Sequence, residues 1–583
     1  MNRFINNKKY ILIGLILVIA FFLRIFNVVY DPPSLNWDEV SIGYNAFSVL
    51  KTSKDEWGKV FPTIFRAYGD YKLPLYVYLT VPSISLFGLN TFSVRLVSVV
   101  AGTISVLFTY LLVKELLSLE KARGMRKSDD KTEAVATLSA LLVTLEPWSL
   151  FLSRPAFEAN LALCFFNVGF YFFLKSIRRL QNIVPSIIFF GLTLWTYNSY
   201  RIFTPLFVVF LFLIFRNELK AFVNNRKYLM QGSILTLLFL LPLIYQFAAG
   251  VGVMRYSKVA IIDEGAIGQI INLRDKYNFS PLVERAVFNR PTYFTYNFLK
   301  NIFSHFSYKF LFVQGGTNYQ FNDPNFGLLY KIDLIFLISG VIFLIKSKDK
   351  KTALLLGWLI LGTVPSSLTR EAPHVLRSIT MLPAPMIISA FGFVGVFSLI
   401  VSLSSKVKSF NTGIICTFFV VLYLLILAKQ LLNYQVNYFN SYKSTYSWSW
   451  QYGYQEVIQY VAENYNKYDK IIVTKKYGEP HEFFLFYLKW NPLLYQADKN
   501  LIRFEQSNWF WVDRFDKFFF VNDWEVPSEE WQPFVLESKK EEIDCREIKC
   551  LLITSPGNVP KTWNKLESVQ FLDGSGAFEI YDN

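Results

Sequence analysis

Apolar runs of about 17 to 25 residues, long enough to cross a bilayer as helices, recur along the first 430 positions, with short polar breaks between them. They fall near 10–30, 93–118, 132–150, 159–175, 184–199, 202–216, 228–247, 328–346, 352–369, 377–402 and 411–428, which predicts about eleven transmembrane helices. Lys and Arg gather in alternate breaks, at Asn7-Lys8-Lys9, Lys121–Lys131, Lys175–Arg179, Arg216–Lys227, Lys346–Lys351 and Lys406–Lys408. The positive-inside rule makes those breaks and the N-terminus cytoplasmic. The first run exceeds a signal-peptide core and no small-x-small cleavage site follows it, so it is expected to stay as an anchor.

Leu73 to Leu89 is also apolar, but Pro82 interrupts it, and a crossing there would push the basic 121–131 break outside. It is therefore expected to lie along the outer membrane surface. The same threading puts 31–92, 248–327 and everything from 429 outside the cytoplasm. In the tail, Gln455–Asn464 reads as a helix, Lys470–Thr474 as a short buried strand and Pro480–Trp490 as another helix, with β-like runs at Leu551–Thr554 and Ala577–Tyr581. The expected fold class is an all-α polytopic membrane protein over 1–428, with a small extracytoplasmic α/β domain over 429–583 and a loop-rich cover at 248–327.

Composition sharpens this picture. With 53% hydrophobic and 18% aromatic residues in 583 positions, the chain is too apolar for a soluble protein of its size. A net charge of +15 invites a nucleic-acid reading, but the basic residues sit in loops between apolar runs, so no nucleic-acid partner is expected. Cys164 and Cys416 lie in apolar runs and read as small hydrophobes; Cys545 and Cys550 in the tail are spaced to close a small loop in an oxidising compartment.

Charge inside hydrocarbon is costly, so its depth is informative. Arg24, Glu146, Arg154, Glu158, Arg201, Asp333, Arg370, Glu371 and Arg377 all fall near the outward ends of the expected spans. With Asp38, Glu39, Lys72 and His374 they suggest a shared outward cavity. Arg154 and Glu158, four apart, would face the same way on a helix, and Tyr197 to Arg201 supplies aromatic faces and hydroxyls suited to a sugar. No Asp-x-Asp pair, the usual holder of a metal on a nucleotide-sugar diphosphate, occurs in the chain. A donor with one phosphate on a long lipid needs instead a few cations and an apolar groove.

Several stretches, in this order, resemble the GT-C membrane glycosyltransferases: Asn36-Trp37-Asp38-Glu39, Tyr71-Lys72-Leu73-Pro74-Leu75-Tyr76, Phe92-Ser93-Val94-Arg95-Leu96, Ser153-Arg154-Pro155-Ala156-Phe157-Glu158-Ala159-Asn160 and Ala372-Pro373-His374-Val375-Leu376-Arg377-Ser378. The likeness is to the group of protein O-mannosyltransferases and lipid A aminoarabinose transferases, and covers roughly residues 10 to 400. It implies a polyprenyl-phosphate sugar donor, a lipid, polysaccharide or protein acceptor, and a place in the bacterial cytoplasmic membrane. It implies Asp38 as the catalytic base with Glu39 as its partner. Lys72, Arg377, His374, Arg154 and Arg95 are then expected at the donor phosphate, and Glu158, Tyr197 and Arg201 at the substrate. At Lys72 the chain departs from the Phe-Glu-Lys-Pro-Pro pattern of the aminoarabinose enzymes: Tyr71 replaces the acid, Asp70 lies one place earlier and one proline remains. No cofactor or metal is expected. The alternatives are a lipid-linked oligosaccharide ligase or polymerase and a transporter of glycans, the latter separable by whether a lipid-linked sugar or a soluble solute protects the outer loops.

Overall fold

The computed structural model describes residues 2–69, 71–121, 129–250, 254–277, 279–406, 411–507, 509–538 and 541–583. Asp70, most of the basic 121–131 break and part of 406–408 lie outside these described residues. The chain divides into two compact units, one of 1–26, 98–153 and 157–435, the other of 27–97, 154–156 and 436–583. The boundary expected at 428 thus falls near 435, and the first outer segment belongs to the same compact unit as the tail.

Within the first unit every expected span contains a helix, from Asn2–Ile25 to Thr412–Asn437. A helix satisfies its own backbone, which hydrocarbon cannot do for it. Among the described residues five helices are long and apolar enough to cross a membrane. Close backbone crossings hold the bundle. A Cβ at Gly392 of helix Ala384–Ser404 would stand 1.8 Å from the Phe336 carbonyl oxygen, and one at Gly340 of helix Asp333–Ser347 would stand 2.1 Å from that of Ile388. The two glycines let these helices touch, as small residues do in membranes. The aromatic content is spent partly on a ring cluster in which Phe166 lies 5.0 Å from Phe203, 5.1 Å from Phe207 and 5.3 Å from Trp358. Trp358 is buried, and its indole N–H donates to the Thr380 carbonyl at 2.9 Å.

Arg24 ends the first helix, and its buried guanidinium donates to the carbonyls of Val143 (3.0 Å) and Thr144 (3.5 Å) and to Ser149 Oγ (3.1 Å). Those carbonyls belong to the last turn of helix Asp129–Leu145, which has no backbone donors of its own for them. The stretch 254–304, expected to be loop-rich, is instead largely helical, as Met254–Val259, Glu264–Tyr277, Pro281–Val287 and Arg290–Ser304.

The second unit is built on a seven-stranded mixed sheet: β1 (Lys470–Thr474), β2 (Ile502–Gln506), β3 (Trp509–Phe515), β4 (Phe518–Val521), β5 (Cys550–Thr554), β6 (Asn564–Gln570) and β7 (Gly576–Asp582). The order is β6-β7-β5-β1-β4-β3-β2, with β1 parallel to both β5 and β4. β1 is apolar and buried beyond its first residue, as a central parallel strand requires. Cys545 and Cys550 form a disulfide. Helix Trp37–Thr52 from the first outer segment packs on helix Pro480–Tyr487, where Gly43 leaves room for the Phe486 ring. Polar ties run alongside: Tyr44 Oη to the Trp490 carbonyl (3.2 Å), Gln496 Nε2 to the Asp55 carbonyl (2.8 Å) and Arg503 to the Glu56 carbonyl (2.9 Å).

Three carboxyls, Glu56, Glu479 and Glu482, lie buried in this unit beside His481. Burial raises Glu56 to about 7 and Glu479 to about 8, and pushes Glu482 well up with help from Glu56 and Glu479. Burial lowers His481 to about 3.

Two predictions follow from this packing. Gly392→Ala should lower the melting temperature in detergent, an overpacking cost of about 1–3 kcal/mol, whereas Gly14→Ala, which meets nothing within 4 Å, should leave it unchanged. Carboxyls raised by folding bind more protons in the folded than in the unfolded state. Their contribution to stability is therefore complete below about 4.5 and is lost as pH rises through about 7 for Glu56 and about 8 for Glu479. Melting curves from pH 5.5 to 8.5 should show this decline, and Glu479→Gln should flatten it at the alkaline end.

Candidate active site

The acid pair after the first helix is split between two environments. Helix Trp37–Thr52 is capped by Asn36, whose side chain accepts from the Glu39 N–H at 3.0 Å, while the Asn36 N–H donates to Glu39 Oε2 at 3.2 Å. This is a capping box, so neither the cap nor its reciprocal bond uses Asp38. Successive helical residues are about 100° apart, and Glu39 points into the interior. There Arg95 Nε lies 2.9 Å from Glu39 Oε1 and a terminal nitrogen 3.0 Å from Oε2, and the Ala156 N–H donates to Oε1 at 2.9 Å. The remaining Arg95 N–H groups go to the carbonyls of Val28 (2.8 Å), Pro32 (2.9 Å) and Ser34 (2.5 Å). Both side chains are completely buried. Arg95, expected at a phosphate, has all five of its N–H groups engaged by the protein, and Glu39 is engaged through both oxygens.

Asp38 is the reverse case. Its side chain is 41% exposed, and its Oδ1 accepts from Lys72 Nζ at 2.7 Å and from Tyr68 Oη at 3.2 Å. Lys72 ends a two-residue strand, Tyr71–Lys72, paired antiparallel with Phe65–Arg66. Leu73 and Pro74 then turn the chain into helix Pro74–Phe87, with Pro at its first position, where a missing N–H costs nothing. The hairpin and the helix start thus fix the base of the Lys72 side chain, which is only 12% exposed. An exposed carboxylate held by an ammonium and a phenol offers a proton acceptor beside a cation, the combination that a hydroxyl attacking a phosphate-linked carbon requires.

Arg154 also lies in this unit. It is buried, donates to the Asp31 carbonyl at 2.9 Å and to Tyr438 Oη at 3.3 Å, and stacks 5.2 Å over the rings of Tyr438 and Phe439. The buried Asp31 carboxylate meets Lys443 Nζ at 3.2 Å; burial raises its pKa, and Lys443 opposes that rise. The chain from Ser153 to Phe157 is not helical and the next helix begins at Glu158, so the spacing of Arg154 and Glu158 does not place them on one helix face.

In the first unit His374 and Arg377 come together. The Arg377 N–H donates to His374 Nδ1 at 3.2 Å, and the Arg377 guanidinium reaches Thr369 Oγ1 at 3.0 Å and Glu371 at 2.7 Å. Arg201 caps the end of helix Ile183–Leu194, donating to the Leu194 carbonyl at 3.0 Å and to Gln246 Oε1 at 3.0 Å. Tyr197 occupies the N-cap of helix Asn198–Ile214. Among the described residues no group of three or more His, Cys, Asp or Glu stands ready to hold a metal ion.

Tyr68, Trp509 and Glu479 were not foreseen from the sequence. Tyr68 sits in an irregular stretch with no helical or strand period, and the aromatic density of Trp509 to Trp511 was its partner's only signal.

No protein-family model matches the chain, and no curated protein does. Solved structures do. ArnT from Cupriavidus metallidurans bound to undecaprenyl phosphate matches with a TM-score of 0.52 at 12% identity, over 98% of this chain and 97% of that one. Its apo state matches at 0.51 and 12%, over 99% and 98%. The archaeal oligosaccharyltransferase AglB from Archaeoglobus fulgidus, in complex with an inhibitory peptide and a dolichol-phosphate, matches at 0.50 and 15% identity. That match covers 83% of this chain and 64% of AglB, so the chain spans less than two thirds of that protein's length. At these identities the likeness is one of architecture, and the chain has the fold of the GT-C membrane glycosyltransferases.

Proposed function

We propose that the chain is a glycosyltransferase that moves a sugar from a polyprenyl-phosphate donor to an acceptor hydroxyl at the outer face of a bacterial cytoplasmic membrane, with Asp38 as general base. One observation carries this reading: of two adjacent acids, Glu39 is used inside the protein while Asp38 stays exposed and paired with Lys72 at 2.7 Å. The lipids in the matching structures, undecaprenyl phosphate on ArnT and dolichol-phosphate on AglB, support a polyprenyl phosphate as the carrier. Near-complete coverage of ArnT, against 64% of AglB, supports transfer of one sugar over transfer of a preassembled glycan.

In this mechanism Asp38 takes the acceptor's hydroxyl proton as its oxygen attacks the anomeric carbon. The bond from that carbon to the phosphate oxygen breaks, and the polyprenyl phosphate leaves with the electron pair. Lys72 offsets the charge that develops there, its flexible stem letting the ammonium turn from carboxylate to phosphate. On the resemblance alone, Arg377, His374 and Arg154 are proposed as donor-phosphate residues, and Glu158 and Tyr197 as substrate residues. Arg95 is reassigned to holding the segment after the first helix, and Arg201 to capping the end of helix Ile183–Leu194. No metal is required, because a single phosphate is met by cations. Eleven crossings, an inward N-terminus and an outward tail complete the proposal, with 248–327 as a cover.

Asp38→Asn should lower kcat for release of sugar from polyprenyl-phosphate donors by about 10²–10⁴-fold at equal expression, and Lys72→Met should chiefly weaken donor binding. Turnover at the wild-type rate in Asp38→Asn would refute the assignment. Glu39→Gln should act differently: by leaving Arg95 buried without its counter-charge it should cut the yield of folded protein, read by size-exclusion chromatography in detergent. NMR of the product should show inverted configuration at the anomeric carbon; retention would require a covalent intermediate and sink the single displacement.

A further inference from the structure

The tail reaches the Asp38 carboxylate through one aromatic side chain. Trp509, the first residue of β3, lies stacked on Tyr68 with ring centroids 5.7 Å apart and planes 26° from parallel. The same indole is pressed against the backbone beside Tyr68: a Cβ on Gly69 would stand 2.3 Å from it. The Phe510 N–H donates to the Tyr68 carbonyl, so β3 grips this residue by backbone as well as by ring. On its far side Trp509 is pinned, its indole N–H donating to the buried Glu479 carboxyl.

Glu479 owes its place to an unusual turn. Gly478 has φ +80° and Glu479 itself φ 28°, a left-handed conformation costly for a residue with a Cβ. Gly478 is required there for a second reason, since a Cβ would stand 2.3 Å from the Trp37 ring, the neighbour of Asp38 in sequence. Trp37 in turn faces Tyr68, with centroids 6.0 Å apart. Tyr68 is thus held between Trp37 and Trp509, and its hydroxyl ends at Asp38 Oδ1, 3.2 Å away.

We propose that Trp509 and Glu479 are positioning residues for the reaction: the indole, anchored by the Glu479 carboxyl, fixes the Tyr68 ring so that its hydroxyl holds the Asp38 carboxylate. This rests on Asp38 being the base. It makes the tail a working part of sugar transfer itself, so its loss of contact should slow donor turnover with any acceptor. A tail that only chose acceptors would change acceptor KM alone.

The test uses the full-length protein in membranes, measuring kcat, KM and the pH–rate profile for wild type, Asp38→Asn, Tyr68→Phe, Trp509→Ala, Trp509→Phe, Glu479→Leu, which removes the acceptor of the indole N–H, and the double variants Trp509→Ala/Tyr68→Phe and Trp509→Phe/Glu479→Leu. Trp509→Ala should cost about ten- to a hundredfold in kcat with donor KM within about twofold, and should move the acid limb of the profile in the same direction as Tyr68→Phe. The first double variant should lose no more than the larger single loss, because both act through one hydrogen bond. Trp509→Phe, which keeps a stacking ring without the N–H, should recover part of kcat, the remaining loss measuring the Glu479 anchor. Losses that multiply in the first double variant, or wild-type kcat in Trp509→Ala beside an inactive Asp38→Asn, would overturn the inference alone. Wild-type turnover in Asp38→Asn would overturn Asp38 as the base and the inference with it, whereas no turnover by the wild type with any polyprenyl-phosphate donor would overturn the glycosyl-transfer reading. Where Trp509→Ala does not fold, Trp509→Phe, Glu479→Leu and the double variant Trp509→Phe/Glu479→Leu decide: partial losses that do not multiply in the double support the coupling, and losses that multiply, or wild-type kcat and pH profile in both singles, reject it.

Discussion

The architecture around Asp38 depends on one buried ion pair, Glu39 with Arg95. Removing two charges from water is expensive, and their mutual attraction repays it only when every remaining donor and acceptor is met. Here they are: Arg95 spends five N–H groups on Glu39 and three carbonyls, and Glu39 accepts from Arg95, Asn36 and Ala156. Those partners come from two separate pieces of chain, 27–97, which also carries both members of the pair, and 154–156. The pair therefore fixes where helix Trp37–Thr52 begins and how it is rotated, and rotation is what turns Asp38 outward. An adjacent acid pair is the simplest way to do both tasks, since neighbours on a helix cannot share a direction.

Lys72 reaches the same carboxylate from a different kind of element. A two-residue strand has almost no stability of its own. It is held by its pairing with Phe65–Arg66 on one side and by the proline-started helix on the other. Arg66 stiffens that hairpin, its guanidinium lying 4.4 Å from the Phe510 ring and 4.8 Å from that of Trp57. Carboxylate and cation are thus brought together by two locally determined elements.

The helices of the first unit were legible because hydrocarbon allows one backbone solution, and a long apolar run favours it. In the tail, β1 and β5 were legible for a related reason: a buried parallel strand is a continuous apolar run. β2, β3 and β4 were not. β2 and β3 carry Arg503, Glu505, Asp513 and Arg514 within the strands, β4 is apolar but only four residues long, and the β2–β3 and β3–β4 turns are made by Ser507 (φ 53°) and Asp516 (φ 47°) without a glycine. The usual hairpin signal is therefore missing. Resemblance drew both Asp38 and Lys72 into the candidate site, but their pairing, 34 residues apart, was not legible, nor was the burial of Arg95, because a cation at the end of an apolar run looks the same whether it meets a phosphate or a carboxylate.

The second unit also constrains how the chain can be divided. Its sheet and helices come from 436–583, yet the faces they bury belong to 27–97: Gly43 against Phe486, Gly69 against Trp509 and Trp37 against Gly478. At each of the three glycines, two in 27–97 and Gly478 in 436–583, an added Cβ would stand under 3 Å from the facing ring, so a larger residue there would force the two surfaces apart. A chain lacking the tail would expose Tyr44, Trp57 and Arg503's partner carbonyl at Glu56 without replacements. The outer segment with Asp38 and the last 148 residues are in that sense one folding problem, solved only after the whole chain has been made.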